Sequence, residues 1–206
     1  MNARVLITGF EPFGNDSTNP SADVALALDE TTVAGRTIAG MVLPVEFEES
    51  ARRLKNAIRE FDPELVICLG LAASRSAISL ERVAVNLDDA RIPDNAGQRP
   101  VDTPVVTSGP TAYLTTLPVK AMAAGLAKQR FPVELSSSAG NYVCNHLFYA
   151  LMHALRRHEG RRGGFVHLPT VSERNTSANL SDAVKLGVRI ALETPIDISI
   201  PAGRID

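Results

Sequence analysis

The sequence of 206 residues has no tryptophan and only two cysteines, Cys68 and Cys144. Two thiols form neither a disulfide framework nor a zinc-ligand set, so both are predicted to stay reduced in a cytoplasmic protein that binds no metal. Charge of either sign is not in excess. A net charge of −2 offers no broad basic surface for nucleic acid or a membrane. The one basic run, Arg156-Arg157-His158 with Arg161-Arg162, fits a helix end, where cations favour the dipole. Long apolar runs are missing too. The longest lies around Leu65 to Ala73, too short to span a bilayer, and the stretch before Gly9 is too short for a signal peptide.

What is present alternates. "RVLITGF", "IAGMVLPVEF", "PELVICLGLA", "ISLERVAVNLDD", "FPVELSS" and "GGFVHLP" have the composition of strands. "ADVALALDE" with Ser21 as N-cap, "EESARRLKNAIREF", "KAMAAGLAKQR", the segment after Cys144 and "LSDAVKLGVRIALE" have helical spacing. The pattern predicts one domain over residues 1–206, an α/β/α sandwich around a mainly parallel, mixed central sheet. Two long loops rich in turn residues stand out, "EPFGNDSTNPS" and "ARIPDNAGQRPVDTP".

Cys144 follows the loop "SSSAG" and opens a helix whose Leu147, Leu151 and Leu155 mark a buried face. In that place it is either a small core residue or a thiol near unpaired N–H groups and the positive dipole end, which lower its pKa. Cys68, inside "LVICLGL", has no polar neighbour in sequence and is read as a buried structural thiol. A nucleophilic cysteine needs a base, and the chain has four histidines. His146 lies about 200° round the same helix, His153 is again on the opposite side, and His158 is about 20 Å further along the axis. His167 remains, at the end of the strand "GFVHLP", where α/β proteins present reactive groups. A third group to orient the imidazole is open among Glu81, Asp88, Asp89 and Asp94; Glu81 sits in an apolar strand where burial would demand a partner. Backbone N–H groups at the start of the cysteine helix, with Arg91, are candidate oxyanion donors. Phe10 and Phe13 in the first loop are either a pocket wall or a plug over the sheet. Gly9 and Gly14 lack the Gly-Lys-Ser/Thr ending of a phosphate loop.

Four blocks, "LITGFEPFGNDSTNPS", "ERVAVNLDDARIPDNAGQRPVD", "SAGNYVCNHLFYALMH" and "GFVHLP", resemble the pyroglutamyl peptidase I family of cysteine peptidases. The resemblance implies a Glu81–Cys144–His167 triad that cleaves the amide bond after an N-terminal pyroglutamyl residue by way of a thioester, without cofactor. It implies a lactam pocket formed by Phe10, Phe13 and Asn19, with Arg91, Ile92, Tyr142 and Val143 against it, and a homo-oligomer, often a tetramer. Val45, Leu71 and Ser172 depart from residues common in the family. Two alternatives stand beside this one. The first is a non-catalytic or altered-specificity binder of N-acylated or lactam-capped peptides on the same fold. The second is a phosphorolytic or nucleotide-handling enzyme.

Overall fold

The computed structural model describes residues 5–14 and 16–203. In chain order the elements are β1 (Val5–Phe10), α1 (Pro20–Leu28), β2 (Thr32–Val33), β3 (Arg36–Leu43), α2 (Phe47–Phe61), β4 (Leu65–Leu71) and β5 (Ile78–Glu81). Then follow β6 (Val83–Val85), β7 (Ala112–Leu114), α3 (Val119–Lys128), β8 (Val133–Ser136), α4 (Val143–Leu155), β9 (Arg162–Leu168) and α5 (Ser177–Glu193). Seven strands make one sheet in the order β2-β3-β1-β4-β9-β5-β8. It is mainly parallel; β5 runs antiparallel to β9, and β2 antiparallel to β3.

Alternation along each strand divides the core in two. Val66, Cys68 and Phe165 face α2 and α4 in one cluster with Leu54, Leu147, Phe148 and Leu151. Leu65, Ile67, Leu69, Val166 and Leu168 face α1, α3 and α5 in the other, with Val24, Met122 and Val188. This is the expected α/β/α sandwich. The apolar run of β4 reflects burial on both faces. Among the described residues, no helix is long and apolar enough to cross a membrane.

Two sequence expectations are corrected. Ser21 is not the cap of α1. Asn19 is, its side chain accepting from the Ser21 N–H, while Pro20 takes the first helical position, where its missing N–H costs nothing. Ser21 Oγ instead accepts from the Phe10 N–H at 2.9 Å and ties α1 to the end of β1. Nor is "ISLERVAVNLDD" one strand. It breaks at Arg82: β5 stays in the main sheet, and β6 leaves it to pair with β7 in a two-stranded sheet.

Helix α1 lies unusually close to the sheet because two strand glycines let it. A Cβ on Gly40 would stand 2.1 Å from the Ala25 carbonyl oxygen, and one on Gly9 would stand 2.0 Å from that of Ser21. These are backbone obstacles, which cannot swing aside. Gly40→Ala is therefore expected to lift α1 from β3 and to lower the unfolding free energy by about 1–3 kcal/mol, as overpacking does. Urea unfolding checks this; an unchanged midpoint would show that the helix slides without loss.

Candidate active site

Strand register determines which side chains share a face at the ends of β4, β9 and β5. His167 pairs with Gly70 on one side and with Ser79 on the other. Paired residues share a face, and so do residues two apart. Gly70, His167 and Glu81 therefore all face the layer of α2 and α4.

Glu81 is fully buried and His167 is 5% exposed. His167 Nδ1 bonds Glu81 Oε1 at 2.7 Å. Arg75 Nη1 donates to the same oxygen at 2.6 Å, and Arg75 Nη2 donates to the Ser138 carbonyl at 3.0 Å. Burial raises the Glu81 carboxyl, but the His167 imidazole, the nearby Ser136 hydroxyl and Arg75 outweigh it and hold it below its ordinary value. An ionised carboxylate only accepts, so Nδ1 carries the proton and Nε2 is left as the basic nitrogen.

Cys144 is the second residue of α4. Its sulfur occupies room that exists because residue 70 is glycine: a Cβ there would stand 3.0 Å from Sγ and 2.8 Å from the Phe165 ring. Gly70 is the direct strand partner of His167, about 4.8 Å away across the sheet. Among the described residues, no hydrogen bond joins the sulfur to the imidazole. The expectation that the helix start lowers this thiol's pKa meets an opposing effect. Burial pushes the Cys144 thiol up to about 12; the Glu81 charge and Cys68 add to the rise, and Arg75 opposes it. The sulfur rests protonated, in surroundings that solvate an anion poorly.

A cavity of about 400 Å³ opens beside the sulfur, lined in part by Phe10, Phe13, Val45, Leu71, Ile92, Tyr142 and Val143. Phe10, which closes β1 rather than lying in the loop, and Phe13 thus form a wall. Phe13 and Tyr142 rings lie 5.5 Å apart, and Phe47 meets Tyr142 edge-on. Arg91 and Asn19 also line the cavity. Asn19 spends most of its polar capacity locally: Oδ1 accepts from Ser21 N and Oγ, and Nδ2 donates to the Glu11 carbonyl at 3.0 Å. Asp16, Thr18, Ala73 and Asn141, also on the wall, were not singled out by sequence; Asp89, one of the candidate carboxylates, lines the wall too rather than meeting His167.

The other candidate carboxylates have different partners. Asp88 Oδ2 pairs with His146 Nδ1 at 2.7 Å, away from the sulfur's side of α4. Asp94 pins the long second loop: Oδ2 accepts from Phe47 N, the first residue of α2, and Oδ1 from the N–H groups of Ala96 and Gln98. It caps α2 in place of Glu46, whose side chain makes no cap bond. Asn95 N donates to the Val45 carbonyl, Asn95 Nδ2 to Glu11 Oε1, and the Tyr142 hydroxyl to the Pro93 carbonyl. This loop is therefore tied to three neighbouring segments. His153 bonds Tyr113 at 2.8 Å, and His158 is exposed. Cys68 has no exposed surface, and burial raises its thiol to about 12, with Thr8 opposing. Arg75 went unrecognised in the sequence. Its only signal was that a buried Glu81 needs a counter-charge, and a nearby arginine in the preceding turn supplies it.

With this geometry in place, comparisons with known proteins agree. The family model described as pyroglutamyl peptidase matches residues 3–197. The pyrrolidone-carboxylate peptidase of Bacillus mycoides is 44% identical over 204 residues, covering 94% of this chain and 95% of that one. The Klebsiella pneumoniae protein of the same name is 42% identical over 210 residues, covering 98% of each. Among solved structures, pyroglutamyl peptidase I from Bacillus amyloliquefaciens superposes with a TM-score of 0.92 at 37% identity, covering 98% of this chain and 100% of that one. Pyrrolidone carboxyl peptidase from Thermococcus litoralis gives 0.91 at 37% identity, covering 96% and 98%.

Both thiols are raised, but only Cys144 opens on the cavity. Iodoacetamide is expected to label Cys144 well before Cys68. A thiol protonated below about 12 gains thiolate as pH rises, so the rate should climb about tenfold per pH unit from 6 to 9. Mass spectrometry of quenched samples reads both outcomes; a rate flat over that range would mean a thiolate already formed at rest.

Proposed function

Because the chain belongs to the pyroglutamyl peptidase family, as a cysteine peptidase of the pyroglutamyl-peptidase I type, we propose that it removes an N-terminal pyroglutamyl residue from peptides through Cys144, His167 and Glu81. One observation carries this reading. The Cys144 sulfur stands in the gap over Gly70, the strand partner of a histidine whose Nδ1 is bonded to a buried carboxylate.

The chemistry follows from the resting protonation states. Cys144 Sγ gives its proton to His167 Nε2 as it attacks the pyroglutamyl carbonyl, since a buried thiol cannot hold a lone negative charge in advance. Glu81 keeps Nδ1 protonated and steadies the imidazolium that forms. The imidazolium then protonates the leaving amine, the C–N bond breaks, and a thioester remains. Water, activated by the same nitrogen, releases pyroglutamate and restores the thiol.

The developing oxyanion needs donors. Helix α4 begins at Tyr142 with no side chain capping it, so its first-turn N–H groups, those of Val143 and Cys144 included, are free of side-chain acceptors. Arg91, exposed on the cavity rim, adds a charged donor. The mostly apolar wall suits an uncharged lactam, because no ion has to be matched on binding.

Release of a chromogenic amine from its pyroglutamyl amide tests this directly. Turnover is expected with the lactam and not with the prolyl or glutamyl analogues, whose free ammonium would be buried unpaired. Cys144→Ala should lose about 10⁴-fold or more in kcat, and Glu81→Gln a smaller factor of about 10²–10⁴. Substantial activity in Cys144→Ala would end the mechanism. Gly70→Ala displaces the sulfur without removing it; a misplacement of order 1 Å should cost about 100-fold in kcat, with the fold checked by circular dichroism.

A further inference from the structure

Glu81 presents an asymmetric arrangement. The two side-chain hydrogen bonds that hold it, from His167 and Arg75, converge on Oε1. Oε2 is buried and has no hydrogen-bond partner among the described residues. A carboxylate held only by the imidazole could rotate and exchange its two oxygens. The guanidinium also grips Oε1, and its second arm reaches the Ser138 carbonyl. Ser138 belongs to the loop between β8 and α4, which delivers the nucleophile. One side chain therefore ties the carboxylate of β5 to the approach to Cys144.

We propose that Arg75 is a positioning residue for the peptidase reaction, fixing Glu81 Oε1 on His167 Nδ1 and offsetting its charge. The inference rests on the catalytic reading above. Without the guanidinium, the buried carboxylate would have His167 as its remaining charged partner. It would then favour the imidazolium, which cannot accept the thiol proton.

The charged and titratable groups around the pair come from several elements. His167 comes from β9, Arg75 from the turn after β4, Cys144 from α4 and Cys68 from β4, with the Ser136 hydroxyl on β8. Glu134 on β8 accepts from Ser79, the strand neighbour of His167, and Arg82 shares a cleft with Arg75. Of these, Arg75 is the cation bonded to the catalytic carboxylate. Its side chain is 26% exposed, so it can be replaced without opening a sealed core.

The test is the pH profile of kcat and KM on a pyroglutamyl anilide for wild type, Arg75→Gln, Arg75→Lys and Glu81→Gln. In Arg75→Gln the acid limb of kcat/KM should move up by about one pH unit, because an uncompensated carboxylate holds the imidazole protonated to higher pH. At neutral pH kcat should fall about tenfold or more, with KM within about twofold. Arg75→Lys should bring the acid limb back, since the charge returns, while kcat stays below wild type because a single ammonium cannot reproduce the two-armed grip. A wild-type limb and kcat in Arg75→Gln, or a change confined to KM or melting temperature, would overturn the proposal. Should Arg75→Gln fail to fold, Arg75→Lys decides. A lowered kcat with KM and limb near wild type supports the role, and no change in kcat overturns it. Glu81→Gln separates the two levels: if it is fully active, the catalytic reading fails; if it is crippled while Arg75→Gln keeps its limb, only the role of Arg75 fails.

Discussion

A carboxylate with no exposed surface, Glu81, is the constraint around which this molecule is organised. A buried charge is tolerated only where partners and hydrogen bonds offset lost hydration. Here the partners come from a different strand and a loop: an imidazole from β9 and a guanidinium from the turn after β4. Each stands where it does because β5 is inserted antiparallel between β9 and β8, parallel to the latter. The mixed sheet, which looks like a topological irregularity, is what sets residue 81 beside residue 167.

Glycines do comparable work by what they omit. At Gly9 and Gly40 the missing side chain lets helix backbone approach strand backbone. At Gly70 it leaves space for a sulfur. That thiol is partly exposed to the cavity, and burial nonetheless raises its pKa. On the proposed mechanism, thiol and imidazole would separate charge only when a carbonyl arrives to accept the sulfur.

Much of this was legible from residue order. A continuous apolar run marked β4 as a strand covered on both faces, β9 carried strand composition, and helical spacing marked α2, α4 and α5. Helix geometry removed His146, His153 and His158 from reach of Cys144, and each of the first two has a polar partner elsewhere. The carboxylate partner was not legible from spacing alone, because Asp88, Asp89 and Asp94 lie in the same stretch and register is a property of three strands at once. The break at Arg82 was hidden because alternation continues through it: β6 keeps period two while changing sheets. The caps misled for a related reason. Ser21 sits where a cap belongs, but α1 is capped by the residue before a proline, and α2 takes its cap from Asp94, 47 residues away in sequence from Phe47. The resting state of Cys144 was missed because position on a helix says nothing about how much dielectric the neighbouring strands remove.

The loop secured by Asp94, Asn95 and Tyr142 has an entropic consequence. Its conformational freedom is surrendered when the chain folds, before any ligand arrives. A small neutral ring offers few contacts, and little of their energy would survive if it also had to order a floppy wall. On the proposed reading, preorganisation is what would let so slight a guest be gripped. It also makes recognition stringent, because a rigid recess cannot reshape itself around a larger or charged end group.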